Sequence, residues 1–396
     1  MLTSPPAIFW IFLRLGCASF GGPIAHLGYL RTEFVERRRW LDDRAFADLV
    51  AICQFTPGPA SSKVGIALGA SRAGIPGAIS AWLGFTLPSA LVLVAFGYGL
   101  ALMGPETLHA GWLHGLKIAA VAVVTQAVWS MGRQLCADRT RASFAILAAL
   151  LVLCWHSALS QIAAIIAGAI AGWRLLPEAA LPSSSHLDFR ISRRVAWTAW
   201  VLFFTLLAVL PALAHLTGNH ALGLFDSFYR AGSLVFGGGH VVLPMLRAEV
   251  VPTGWVSDDE FLAGYGVAQA VPGPLFTFAA YLGTVAKGVP SGWTGGILTL
   301  VAIFLPAFFL ALGPLPFWSA WRAHPTIRSC LAGVNAAVVG VLLAALYDPI
   351  FTTSVRGRLD FALALAAFGL LFFWRLSPLW VVIFAAAGGE LIARLP

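Results

Sequence analysis

Charge is what this chain has least of. Only 11% of its 396 residues are Asp, Glu, Lys or Arg, against about 25% in soluble domains, and 59% are apolar. Too few polar side chains remain to cover the two or three soluble domains expected at this length. A mean hydropathy of +0.85 calls for a lipid-facing surface. A soluble enzyme, a nucleic-acid-binding module and a secreted domain are thereby excluded. Cysteine is sparse as well. Cys17, Cys53, Cys136, Cys154 and Cys330 form an odd, dispersed set without CxxC spacing, so neither a disulfide framework nor a metal site is expected, and they read as small buried hydrophobes. No GxxxxGK[ST] phosphate loop occurs, so no ATP hydrolysis by this chain is expected. A cleavable signal peptide is missing too: Met-Leu-Thr-Ser-Pro-Pro has no basic start, and the first apolar run leads into Arg14. The expected home is a bacterial inner membrane, among lipid.

What is present is a repeat. Phe12-Leu-Arg14-Leu-Gly16-Cys-Ala-Ser-Phe20-Gly21-Gly22 returns as Phe228-Tyr-Arg230-Ala-Gly232-Ser-Leu-Val-Phe236-Gly237-Gly238 at a constant offset of 216 residues. Leu30-Arg31-x-Glu33 matches Leu246-Arg247-x-Glu249 at the same offset. With one residue dropped, Trp40, Asp43, Phe46 and Gln54 match Trp255, Asp258, Phe261 and Gln269, and Pro57-Gly58-Pro59 matches Pro272-Gly273-Pro274. Leu87-Pro88 and Gly115 then match Leu305-Pro306 and Gly333. Chance does not give so collinear a series, and the chain is two homologous halves.

Thirteen apolar segments can be counted, six per half plus Val195–Thr217 between them. Those flanking Phe20-Gly-Gly and Thr56-Pro57 are only 10–14 residues long, as are their counterparts. Such pieces are too short for a hydrocarbon core of about 30 Å and suit re-entrant or broken helices. Irregular backbone at that depth survives only where protein or a water-filled cavity satisfies it. The expected fold is an all-α polytopic membrane protein with two homologous halves in inverted orientation. Each half has two re-entrant or broken helical hairpins plus four spans. The expected division is a first repeat at 1–177, a cytoplasmic linker at 178–194, a linking span at 195–217 and a second repeat at 218–396.

The net charge of +8 is spread over short loops, where Arg and Lys report topology. Placing Arg31, Arg37, Arg38, Arg39, Arg44 and Arg72 inside carries Arg133, Arg139, Arg141, Arg174, Arg190, Arg193 and Arg194 with them. The N-terminus is then cytoplasmic and the C-terminus periplasmic. Arg356, Arg358 and Arg394 fall outside and count against this arrangement. If every segment spanned fully, the Arg37–Arg39 run and the Arg190–Arg194 linker would lie on opposite sides.

Inverted repeats with interrupted helices are an architecture of secondary transporters. Helices beginning after Gly21-Gly22, Pro57-Gly58-Pro59, Gly237-Gly238 and Pro272-Gly273-Pro274 would aim free N–H groups and positive dipole ends at one place, an anion site needing no cofactor. Arg14 and Arg230 sit inside apolar runs, where a guanidinium usually faces a cavity or a partner, although snorkelling to the interface is the rival reading. Lys63 is a third candidate anion contact, unmatched because its partner is Phe278. Ser61, Ser62, Gln54 and Gln269 can donate without charge. Glu33, Glu249, His26 and His240 are candidates to carry a coupled proton, with an ordinary Glu33–Arg37 helix pair as the alternative for the first. Asp42, Asp43, Asp258, Asp259 and Glu260 are expected to cap helices.

Ser19-Phe-Gly-Gly-Pro-Ile-Ala-His26, Glu33-Phe-Val-Glu-Arg-Arg-Arg-Trp40 and Gln54-Phe-Thr-Pro-Gly-Pro59 together resemble the chromate ion transporter family in its two-domain form. Phe236-Gly-Gly-Gly-His240, Trp255 and Gln269-Ala-Val-Pro-Gly-Pro274 resemble its second-domain signature. The resemblance runs from about Phe9 to the C-terminal segments. It implies an inner-membrane protein that exports chromate as a proton-coupled antiporter and confers chromate resistance. Chromate, protons and lipid are the implied partners. The residues alone say anion. Sulfate or another anion, an anion channel, and a homodimer stay open, while the dispersed acidic residues speak against a membrane-embedded enzyme such as a prenyl transferase.

Overall fold

A computed structural model describes residues 3–19, 22–103, 110–155, 158–176, 191–235, 242–317 and 325–394. Among them there is no strand, and five helices are long and apolar enough to cross a membrane. The first half runs α1 (Pro5–Ala18), α2 (Gly22–Arg31), α3 (Asp43–Phe55), α4 (Ala60–Met103), α5 (Gly111–Leu135), α6 (Arg139–Cys154) and α7 (Ala158–Leu175). α8 (Arg193–Thr217) follows. The second half runs α9 (His220–Leu234), α10 (Val242–Val250), α11 (Asp258–Ala270), α12 (Phe278–Val285), α13 (Gly292–Leu312), α14 (Pro325–Ala345), α15 (Arg358–Phe372) and α16 (Pro378–Ala393). α4 bends at Ala73 and Gly74, whose backbones are not helical, so it is a short helix and a long one in series, as α12 and α13 are.

The short helices pair as hairpins. α3 leaves from Trp40, the chain breaks at Thr56–Pro59, and the first part of α4 returns to Arg72. There the Arg72 guanidinium donates to the Trp40 carbonyl at 2.9 Å and lies 4.8 Å from the Trp40 ring centre. The second half closes in the same place: the Lys287 N–H donates to the Trp255 carbonyl at 2.9 Å, after α11, the break and α12. A hairpin thus starts and ends at the same level in each half. Ile191, just before α8, packs on the cluster that holds Phe34, Trp40 and Leu41. The Arg37–Arg39 turn and the start of α8 therefore share one end of the molecule.

Caps locate the starts. Asp42 accepts from the Ala45 N–H at 2.7 Å, as a cap should. In the second half Ser257, not an Asp, caps α11 in a capping box with Glu260. Asp43 and Asp258 instead bind Arg31 and Arg247 at 2.7 Å each, and Asp259 takes the buried ammonium of Lys117. Those three are ion-pair partners rather than caps. They sit in the first turn of a helix, where a carboxylate is already favoured and a neighbouring helix end brings a cation within reach.

The remaining helices are exchanged between the halves. α5 packs chiefly against α16 and α15, while its counterpart α14 packs against α7 and α6. Gly115 and Gly333 make both contacts possible: a Cβ on Gly115 would overlap the Ala385 carbonyl, and one on Gly333 the Gly168 carbonyl. Small residues at such crossings let backbones approach closely, which is how apolar helices gain packing energy where lipid supplies no hydrophobic drive. Outward lie Leu147, Ile166, Trp197, Phe204, Ile297 and Leu365, all more than half exposed, an apolar belt that water would not tolerate over so much surface. Cys17 and Cys154 are exposed on this surface rather than buried, and only Cys53 is fully enclosed. Lipid tails accept a thiol as readily as the core does.

Gly115→Ala should destabilise the protein by about 1–3 kcal/mol, the range for forcing atoms into a packed contact. Gly132→Ala in the same helix, with nothing within 4 Å of the new methyl, should be neutral or stabilising by up to about 1 kcal/mol. Thermal unfolding midpoints of the two variants in detergent will separate them.

Candidate functional site

The breaks of the two halves hold each other. The Gly58 N–H donates to the Val235 carbonyl at 2.6 Å, and the Gly273 N–H donates to the Ser19 carbonyl at 2.9 Å. Gly58 and Gly273 are equivalent, and so are Val235 and Ser19, so the exchange is reciprocal in the manner of a two-fold contact. Both glycines have positive φ, +97° and +107°, which a side chain would disfavour. Pro57-Gly58-Pro59 of the first half therefore meets the end of α9 at Val235, and Pro272-Gly273-Pro274 meets the end of α1 at Ser19. Gly21, Gly237, Gly238 and His240 lie outside the described residues; Gly22 opens α2.

Polar groups gather on this junction. His26 is buried and donates from Nε2 to the same Ser19 carbonyl at 3.1 Å, while its Nδ1 lies 3.4 Å from Ser61 Oγ. Its ring stands edge-on to Phe85, whose carbonyl lies 3.4 Å from where a Cβ on Gly273 would sit. Lys63 is wholly buried. Its ammonium donates to the Thr56 carbonyl and hydroxyl at 2.7 and 2.8 Å and to the Pro57 carbonyl at 2.7 Å. Those three bonds use every donor it has. Lys63 thus closes the carbonyl end of α3 rather than offering a free N–H to a ligand. In the second half Phe278 holds the equivalent position against Phe261, Tyr265 and Tyr281.

Several donors at the junction have no protein partner. The hydroxyls of Ser19, Ser62 and Thr86 and the amide nitrogen of Gln269 are buried without a hydrogen bond. An unsatisfied buried polar group costs about 1–3 kcal/mol, so these four make the neighbourhood of the two Pro-Gly-Pro breaks the candidate site for a polar ligand. Gln54, the counterpart of Gln269, is exposed and stands outside this cluster. Ser19 and Thr86 were not evident as candidates in sequence. One Ser or Thr in an apolar helix carries no signal until its neighbours are known.

A cavity of about 1110 Å³ leads toward the junction from one end, lined among others by Arg14, Ala18, Tyr29, Glu33, Arg37 and Arg38. Ala18 is the residue before Ser19. Arg14 lies one helical turn further out and has no ion-pair partner among the described residues. Glu33 binds Arg38 at 2.6 Å and Arg37 at 3.5 Å, so the lining holds three guanidinium groups against one carboxylate. The equivalent arginine is in another state. Arg230 donates from Nε to Asp226 at 3.0 Å and from Nη2 to Glu249 at 2.9 Å, and Ser227 adds a bond to the same Glu249 oxygen. Asp226 is a partner of Arg230 that sequence reasoning missed. Its i, i+4 spacing to Arg230 within an apolar run was the available signal.

Broken helices meeting at a buried polar junction, in a twice-repeated apolar chain, define a polytopic membrane protein of the transporter class. The chain belongs to the chromate transporter family, whose pattern matches residues 6–173 and again 222–390. It is 32% identical to a chromate transport protein of Pseudomonas aeruginosa, over 97% of this chain and 91% of the relative. A probable chromate transport protein of Synechococcus elongatus is 27% identical over 95% and 93%, and a chromate transport protein of Cupriavidus metallidurans 27% over 90% and 84%. No solved structure matches the chain.

Lys63→Met removes three hydrogen bonds and leaves two backbone carbonyls buried without donors. Destabilisation of at least about 1–3 kcal/mol is expected. It should show as a lowered unfolding midpoint in detergent and a reduced folded yield.

Proposed function

We propose that this protein is a secondary transporter that exports chromate across a bacterial inner membrane by proton-coupled antiport, with the anion held where the Pro-Gly-Pro breaks of the two repeats meet. The observation that carries the reading is the reciprocal Gly58–Val235 and Gly273–Ser19 bonding. It supports two halves related by a two-fold axis in the membrane plane, hence inverted repeats at 1–177 and 218–396. The unpaired hydroxyls of Ser19, Ser62 and Thr86 and the helix starts after each break suit a tetrahedral dianion. Arg14, with Arg37 and Arg38, would draw it in. The names of the relatives supply chromate as the anion. Sulfate has the same shape and charge and is the competing substrate.

Re-entrant hairpins follow from the closed loops at Trp40 and Trp255. Because the Arg37–Arg39 turn and Ile191 share one end, the basic loops fall on the cytoplasmic side under the positive-inside rule. The N-terminus is then cytoplasmic and the C-terminus periplasmic. Export is downhill in charge. A dianion leaving a cell that is negative inside gains about 4.6 kcal/mol per 100 mV. His26 at the junction, Glu33 and Glu249 are the groups proposed to carry the coupled proton.

Everted vesicles should accumulate chromate when a proton gradient is imposed, with sulfate competing; vesicles that take up neither anion would remove the reading. Arg14→Gln should slow initial chromate uptake by roughly tenfold at low ionic strength, an effect that fades as salt is added, and Arg14→Lys should keep most of the parental rate, since steering needs the charge alone. Arg37→Cys and Thr253→Cys should lie on opposite faces, with impermeant thiol reagent on intact cells reaching only the second. Equal labelling of both would sink the inverted arrangement.

A further inference from the structure

We infer that Arg14–Glu33 and Arg230–Glu249 are equivalent ion-pair locks that close in alternation, the second shut and the first open in this structure. This rests on the transporter reading. Arg14 and Arg230 are 216 residues apart, and so are Glu33 and Glu249. The two pairs therefore occupy the same place in their halves. In the second half the pair is made, Arg230 Nη2 to Glu249 Oε2 at 2.9 Å. In the first half both side chains line the cavity, but Glu33 is taken by Arg38 and Arg37, and Arg14 stands apart from it. One sequence motif is thus seen in two arrangements at once. In a carrier built of two equivalent halves, exchanging those arrangements between the halves produces the other end state.

The neighbours explain which lock is shut. Asp226 adds a second carboxylate to Arg230, at 3.0 Å, and the position equivalent to Asp226 is Trp10. Glu33 has rival cations in Arg37 and Arg38, whose counterparts at the same offset are the uncharged Thr253 and Gly254. The second lock is reinforced and the first is contested. Among the described residues of the helices packed on α9, no other charge interferes with the second. α13 carries no titratable side chain, α8 carries none between Val195 and Ala214, and on α10 Arg247 is engaged by Asp258. On α9 itself Tyr229 is tied to the Phe203 carbonyl, and the His220 ring stands against Trp255. Arg14 and Arg230 are positioning residues for the transport cycle in this account.

The experiment uses Tyr29→Cys, in the cavity lining, in a full-length chain whose five native cysteines are replaced by serine. Impermeant maleimide is applied from the face bearing the Arg37 turn, with no anion present. Labelling of the parent should be fast. Arg230→Gln should slow it about tenfold or more as the open first vestibule loses population, and Asp226→Asn should slow it less. Arg14→Gln, the equivalent change, should act in the opposite sense and leave labelling at or above the parent rate. Combining Arg14→Gln with Arg230→Gln should return labelling toward the parent. Effects of the same sign from the two arginines, or none from either, would overturn the locks. Where Arg230→Gln does not accumulate, Arg230→Glu with Glu249→Arg should restore parental labelling, and slow labelling there would count against them equally. A parent that moves no chromate yet shows the opposed labelling pattern would remove the chromate reading and leave the locks standing.

Discussion

Two backbone N–H groups, on Gly58 and Gly273, carry the constraint on which the architecture depends. An interrupted helix inside a membrane leaves donors and acceptors that lipid cannot satisfy, at a cost of several kcal/mol each. This chain meets that demand by lending each half the break of the other. The Pro-Gly-Pro of one repeat donates to the carbonyl just before the Phe-Gly-Gly of its partner, and the same bond runs back. Neither half can complete its own interior. The exchange of α5 and α14 onto the terminal helices of the opposite repeat extends the same dependence outward through Gly115 and Gly333.

From that junction the chemistry follows by what is left over. Lys63 spends its donors on the carbonyl end of α3, so its hydrogens are occupied. His26 braces the Ser19 carbonyl from a second side. What stays unpaired is a set of hydroxyls and one amide. In the proposed reading, uncharged donors suit an ion that must be held and released within each cycle. A bare guanidinium clamp at the centre would favour holding over release. The guanidinium groups stand further out, where they can steer.

The halves depart from symmetry at positions that carry charge. Lys63 faces Phe278, Asp226 faces Trp10, and Arg37 and Arg38 face Thr253 and Gly254. Backbone geometry is shared while electrostatics are not. Residues that close a hairpin keep their role even when their chemistry changes: the Arg72 side chain and the Lys287 backbone N–H reach equivalent tryptophan carbonyls, of Trp40 and Trp255, by different routes.

Much of this was legible in the residues themselves. The offset of 216 exposed the duplication, and the short apolar pieces around Phe-Gly-Gly and Pro-Gly-Pro marked broken helices, because membrane thickness and backbone hydrogen bonding leave few alternatives. Arg14 was recognisable as a charge needing either a cavity or the membrane interface, and sequence left both readings open. Other features were settled only by the fold. Sequence treats Arg14 and Arg230 as equals, yet one lines an open cavity and the other is held by Asp226 and Glu249. It offers Lys63 as a free cation, yet the ammonium is enclosed. Glu33 could bind several arginines at helical spacing, and only packing chose Arg38 and Arg37. Periodicity and residue type establish which groups must be satisfied. Which partner satisfies them depends on angstrom-scale distances between segments far apart in the chain, and those exist only once the two halves have closed on each other.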